Sequence, residues 1–260
     1  MAIKFIFCIN SGRSGSNYLS HLFNESYNCN SFHEPKPVMN GDFIYKYLNG
    51  GNYDFNAALN IKFETIIKSK TKAKYFEANH TFIKGFGWFT NKFLTPEEVA
   101  IIILKRNPKE VALSFIKNNV SPYNVVGRNW IILPTCKNPI ISPKKFVRHS
   151  FLVFHIHKFI YYCIYWAHKF FKIQIKKPSI LRNTELKFLR WYVVELNARA
   201  IKFQTDFPEY KYIHLDYSEL NSRKKILDIA KTLGLNINQN FIDFIGNRKN
   251  ATGDRNNDLS

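Results

Sequence analysis

Apolar residues cluster first in a short run at residues 4–9, KFIFCI, which stops at the turn-forming Asn10-Ser11-Gly12. From Ser16 the spacing changes to a helical one, with Tyr18, Leu19, Leu22 and Phe23 on one side. The pattern predicts a strand, a glycine-bearing loop and a helix. Residues 99–104, VAIIIL, form a second run, apolar at every position, as parallel strands buried on both faces are. Pro108 then opens a helix reaching about Asn118, because proline suits the first helical turn. A third strand is predicted at residues 212–215, with a helix over residues 223–233 that Gly234 ends. Strands alternating with helices imply an α/β fold, a parallel sheet with helices on both faces.

The middle of the chain is less regular. Residues 119–147 contain Pro122, Pro134, Pro139 and Pro143 and read as a long loop or small insertion. Residues 151–173, FLVFHIHKFIYYCIYWAHKFFKI, approach the length of a membrane span, but His155, His157, Lys158, His168 and Lys169 interrupt them, and such groups are costly at a bilayer centre. A buried or half-buried helix is expected instead. Trp191, Glu195 and Arg199 recur every four residues and predict one helix face carrying a core residue and an ion pair. The whole chain reads as one domain, residues 119–206 forming its insertion and helical region and residues 247–260 a polar tail.

Composition adds three constraints. Aromatics make up 16% of the chain, enough apolar surface to offset the entropy of ordering it, so the chain folds. Thirty-eight Lys and Arg against 19 Asp and Glu give a net charge of +19, which favours anionic ligands or surfaces. Lys, Asn, Ile and Phe are abundant together, as an A+T-rich coding sequence also dictates, so charge alone does not choose the partner. No RNA-binding or helix-turn-helix signature is present, and no nucleic-acid partner is expected. Cys8, Cys29, Cys136 and Cys163 have neither CxxC nor zinc-ligand spacing, so free thiols and no metal are expected. The apolar stretch near the start is too short for a signal-peptide core, giving a cytoplasmic expectation.

Two constellations suggest chemistry. Residues 11–17, SGRSGSN, lie between a strand and a helix start, where backbone N–H groups and the helix N-terminus can surround an anion. The nucleotide-triphosphatase pattern fails because no Lys follows Gly15, and GxGxxG fails as well. In LKRNPKEVALSF, Arg106 emerges past the second strand, and Ser114 lies in the helix that follows. A strand-end Arg and a helical hydroxyl can grip one phosphate from two sides.

Together these motifs resemble the sulfotransferase superfamily, whose donor loop reads like RSGS or KSGTT and whose second motif reads much like RNPKDVAVS. The resemblance implies that Arg13, Ser14, Gly15, Ser16 and Asn17 bind the 5′-phosphosulfate of 3′-phosphoadenosine 5′-phosphosulfate and that Arg106 and Ser114 bind its 3′-phosphate. It further implies a P-loop-like sheet and no catalytic metal. Residues 212–220, YIHLDYSEL, are similar to a late family element, with Leu215-Asp216 where Arg-Tyr is usual. Asn17 stands where many members carry Ser or Thr.

The Arg of the loop and the sequence Ser31-Phe32-His33-Glu34-Pro35 resemble the carbohydrate-acting branch. That likeness implies a glycan or glycolipid hydroxyl as acceptor. Glu34 is the candidate base and Arg13 the candidate stabiliser of the leaving group. Glu77 and His80, in FEANHT, are rival bases on the acceptor side, and His33 is a candidate to orient Glu34. Arg248, in a late basic segment, is a candidate to close over the 3′-phosphate. Two other readings stay open: a divergent nucleotide kinase, and a non-catalytic basic protein that binds membranes. The basic, aromatic 151–173 segment leaves peripheral contact with an anionic bilayer as a further expectation; the sequence does not set the oligomeric state.

Overall fold

The computed structural model describes residues 2–247. Five parallel strands form one sheet: β1 (Phe5–Ile9), β2 (Cys29–His33), β3 (Lys74–Ala78), β4 (Val99–Lys105) and β5 (Lys211–Asp216), in the order β2-β3-β1-β4-β5. The apolar runs of β1 and β4 are explained by their place at the centre, where both faces are covered. Successive residues go to opposite sides. Phe5, Phe7 and Ile9 join Val99, Ile101 and Ile103 in one core, while Ile6 and Cys8 join Ala100, Ile102 and Leu104 in the other.

The second core is closed by α1 (Ser16–Asn24), α8 (Arg223–Leu233) and α9 (Gln239–Phe244), through residues such as Leu19, Leu22, Ile226 and Phe241. The first is closed by α2 (Asp42–Asn49), α3 (Phe55–Ser69), α4 (Pro108–Lys117) and the long α7 (Ser179–Asp206). Helix α4 starts where the sequence predicts: Pro108 occupies the first turn, and the Asn107 side chain accepts from the Lys109 N–H at 2.9 Å. Gly234 ends α8 in the left-handed conformation, φ 64°. The four cysteines are free thiols, Cys163 exposed and the others buried.

Residues 119–147, read as a long loop or small insertion, contain α5 (Val125–Trp130) and bury Val120, Tyr123, Ile131 and Ile132. Glu195, fully buried on α7, accepts from the N–H groups of Ile140 (3.1 Å) and Ile141 (2.7 Å), and Trp191 donates to the Ile141 carbonyl at 2.6 Å. Arg199 closes this cluster by pairing with Glu195 at 2.8 Å. The predicted stripe of core residue and ion pair is therefore what fastens the proline-rich segment down. Helix α6 (Ser150–Phe171), expected to be buried or half-buried, fully buries only Ser150, Phe154 and His157. Its first half packs on Tyr123 and Phe188; beyond that it outruns the surface beneath it and stays largely exposed. Among the described residues no helix is long and apolar enough to cross a membrane.

Candidate functional site

Strands β1 and β4 are neighbours, so the loops at their carboxyl ends face each other where the sheet order switches, the place open α/β sheets use for ligands. The β1 loop is bent by local bonds. Asn10 donates to the Cys8 carbonyl (3.0 Å) and accepts from the Gly12 N–H (2.9 Å), after which Gly12, Arg13 and Gly15 all take positive φ, at 75°, 55° and 89°. Gly15 is required twice over. Besides its φ, a Cβ there would sit 2.6 Å from Leu220 Cδ1 and 3.2 Å from the Tyr217 ring. Helix α1 begins at once, with no side chain capping its first turn among the described residues, so its positive end faces the loop.

The side chains of the two motifs meet here although a hundred residues separate them. Arg106 donates from Nη1 to the Arg13 carbonyl at 2.8 Å and from Nε to Glu110 at 3.1 Å, and its guanidinium lies 4.0 Å from the centre of the Tyr217 ring. Arg13 in turn donates from Nε to Ser114 Oγ at 3.3 Å. Arg106 thereby commits one donor of its five-donor fork to the loop backbone and another to Glu110 on α4. Ser14 is fully buried, and its Oγ has no hydrogen-bond partner among the described residues. A buried hydroxyl without a partner is costly, and a ligand oxygen at this loop would satisfy it. Asn17 is half-buried in the first turn of α1.

A second group of side chains adjoins the first, since a Cβ on Gly12 would lie 4.0 Å from the Cβ of His80. His33 closes β2, and its Nε2 is 3.3 Å from Ser16 Oγ, which ties the strand end to the start of α1 just after the β1 loop. Glu34 follows with φ 50°, a strained value for a residue with a side chain. Its Oε1 accepts from His80 Nδ1 at 2.6 Å, while the His80 ring stacks on Trp130 at 4.8 Å between centroids. Burial, and then the Lys84 charge, lower His80 to a pKa of about 4, so the imidazole is neutral at pH 7 and donates its Nδ1–H. Burial alone would raise Glu34, but the bond from His80 and the cationic neighbours outweigh it, and its pKa ends below the ordinary carboxylate value. The result is an ionised carboxylate held by a neutral imidazole, with His80 Nε2 buried and without a partner among the described residues.

Lys84 and Tyr192 carry this group back to the loop, and no motif marks either along the chain. Fully buried Lys84 donates to the Trp130 carbonyl and to the Tyr192 hydroxyl (3.0 Å), which donates to the Ser11 carbonyl at 3.0 Å. Burial drives Lys84 well below the usual lysine range. One Lys among 38 Lys and Arg offers no sequence signal; only its seat against Trp130 and Tyr192 distinguishes it.

Glu77 is not part of this arrangement. Its carboxylate is enclosed in the core, with Oε1 accepting from Lys62 (2.7 Å) and Asn79 (2.8 Å) and Oε2 from Tyr75 (2.7 Å). Arg248 lies outside the described residues. Among the described residues no three His, Cys, Asp or Glu side chains gather as metal ligands would.

At the level of sequence, no family profile matches the chain and no curated relative does. Solved structures do match. A sulfotransferase domain from the curacin biosynthetic pathway superposes with a TM-score of 0.53 at 12% identity, over 92% of this chain and 76% of that one. A sulfotransferase from Alicyclobacillus acidocaldarius superposes with a TM-score of 0.47 at 11% identity, over 94% of this chain and 84% of that one. The first likeness gives the chain the fold of a sulfotransferase domain; at this identity it speaks for architecture, not for activity.

Proposed function

We propose that this chain is a sulfotransferase that moves the sulfuryl group of 3′-phosphoadenosine 5′-phosphosulfate onto the hydroxyl of a glycan or glycolipid. The observation that carries this reading is the convergence of Arg13, Arg106 and Ser114 around the β1 loop, beside the Glu34–His80 pair. Arg106 and Ser114 serve the 3′-phosphate; the N–H groups of residues 13–17 and the buried hydroxyl of Ser14 serve the 5′-phosphosulfate.

The chemistry then divides between the two groups. The acceptor oxygen forms a bond to sulfur as the bond from sulfur to the bridging phosphate oxygen breaks, and the electron pair leaves with 3′-phosphoadenosine 5′-phosphate. Arg13 offsets the negative charge that develops on that oxygen. The acceptor proton goes to the Glu34 carboxylate, which is the more exposed member of its pair, at 17% against 1% for His80. His80 acts through Glu34 as a positioning residue, its ring clamped by Trp130. Glu77 has no part, because every one of its oxygens already binds a donor in the core.

The test is calorimetric and kinetic. 3′-Phosphoadenosine 5′-phosphate is expected to bind and to raise the melting temperature by mass action. Arg106→Ala should weaken binding by about tenfold to a hundredfold, the equivalent of roughly 1.5–3 kcal/mol for a charge-assisted contact. Glu34→Gln should leave donor affinity within a few-fold and reduce turnover on sugar acceptors by about 10²–10⁴. A chain that ignores this nucleotide but binds ATP with magnesium overturns the donor assignment, and full activity in Glu34→Gln would move the base to His80 or Glu77.

A further inference from the structure

We propose that the exposed face of α6, together with the basic segment that follows it, docks on an anionic lipid bilayer. The inference does not depend on the activity proposed above. Along α6, Leu152, Ile156, Phe159, Cys163, Trp166 and Phe170 recur at alternating steps of four and three and form one outward stripe. The exposure is large: Phe159 is 70% accessible and Phe170 65%, and Phe171 at the helix end is 73%. Ile173 and Ile175 extend the apolar surface past the helix, at 52% and 46%. A continuous exposed apolar surface of this kind marks a contact site rather than ordinary scatter.

Charge selects the occupant. From residue 111 to residue 184 the chain has twelve Lys or Arg and no Asp or Glu. Lys169, Lys172 and Lys176 stand at the exposed end of the helix and in the segment after it. A cleft of about 660 Å³ beside that segment is lined by Lys176, Lys177 and Arg182 together with Leu113, Ile116 and Leu186, a size and lining that accept an anionic headgroup. Lys177 is partly neutralised by Glu185 at 3.6 Å, which leaves Lys176 and Arg182 as the effective cations there. A second copy of the chain on this face would bring cations against cations, whereas an anionic bilayer neutralises them.

The aromatic content fits the same partner. Tyr165, Trp166 and the phenylalanines suit the depth between headgroups and acyl chains, where amphipathic helices lie flat and aromatic rings accumulate. No described helix, α6 included, is long and apolar enough to cross a bilayer, so the contact proposed for α6 is one along the surface.

The experiment is vesicle flotation of the full chain with phosphatidylcholine alone and with phosphatidylcholine mixed with phosphatidylglycerol. Binding is expected only to the mixed vesicles, and to fall steeply as salt rises from about 0.1 M towards 1 M, where the screening length drops from about 10 to 3 Å. Phe159→Ser with Phe170→Ser should weaken it by at least about tenfold, and Lys172→Ala with Lys176→Ala by a similar factor. All four side chains are exposed, so the melting temperature should hold. Trp166 fluorescence should shift to the blue on vesicles, and Trp166→Phe should remove that shift.

Equal binding to both vesicle types, or no binding to either, overturns the proposal. So does a dimer without lipid that Phe159→Ser with Phe170→Ser abolishes, which would give the face to a second copy. Displacement of the chain from vesicles by equimolar single-stranded RNA would give it to nucleic acid.

Discussion

Replacing Gly15 by Ala tests whether the loop is held in the shape that lets Arg106 and Arg13 meet. Two separate costs are written into the structure. Gly15 has φ 89° and ψ 10°, a left-handed conformation that costs an L-residue about 1–2 kcal/mol. The new methyl would also stand 2.6 Å from Leu220 Cδ1, a side chain fully buried in the core, and 3.2 Å from the Tyr217 ring. Overpacking of this kind costs a further ~1–3 kcal/mol, so Gly15→Ala should lose roughly 2–5 kcal/mol in urea unfolding. The two parts separate in a double-mutant cycle with Leu220→Ala, which alone costs about 2–5 kcal/mol for its cavity. In the double variant the methyl occupies that cavity, and the steric part, about 1–3 kcal/mol, should return as a coupling energy while the backbone part remains. Because the overlap also pushes on Tyr217, on which Arg106 stacks, affinity for 3′-phosphoadenosine 5′-phosphate should fall in Gly15→Ala and recover partly in the double variant. Strict additivity of the two substitutions, or a Gly15→Ala protein as stable as the parent, would refute this account of the loop.

Two more outcomes are expected. His80 has its pKa near 4 when folded against an ordinary 6.5, so the unfolded chain binds the extra proton between those values and stability is lost as pH falls from 6.5 towards 4; His80→Asn should flatten the pH dependence by up to roughly 3 kcal/mol in urea melts at pH 7 and 4.5. Glu195→Ala strips a buried Arg199 of its carboxylate partner, leaving it, among the described residues, only the Asn138 carbonyl, and takes the acceptor from the Ile140 and Ile141 N–H groups, so it should cost about 3–5 kcal/mol and release residues 119–147 to early proteolysis.

How much of this was legible beforehand follows from how local each feature is. β1, β4, the loop between β1 and α1, and the ends of α4 and α8 are written in consecutive residues: apolar runs, a glycine turn, Pro108 and Gly234. The stripe Trp191, Glu195 and Arg199 is also local, and the periodicity revealed it, though not that its carboxylate would cap the backbone of Ile140 and Ile141. β2 escaped the reading because it is an edge strand, half-buried between a buried Cys29 and an exposed His33, and its sequence CNSFH has no apolar run to announce it.

The site divides in the same way. The residue types of SGRSGSN and of Arg106 to Ser114 pointed to an anion, since turn chemistry and a strand-end cation are local properties. Glu34, Glu77 and His80 could not be ranked along the chain, because two carboxylates and an imidazole look alike there. Pairing of β2 with β3 tells their surroundings apart: it sets His33 beside Ala78, brings Glu34 within reach of His80 just past the strand, and turns the Glu77 side chain into the core towards Lys62. The same holds for α6, whose sequence predicts a helix but cannot say how far the surface beneath it extends. What the chain determined alone is backbone shape and chemical type, which depend on neighbours in sequence; which charges meet, which are buried and which face stays open depend on neighbours in space, and those exist only once the sheet has formed.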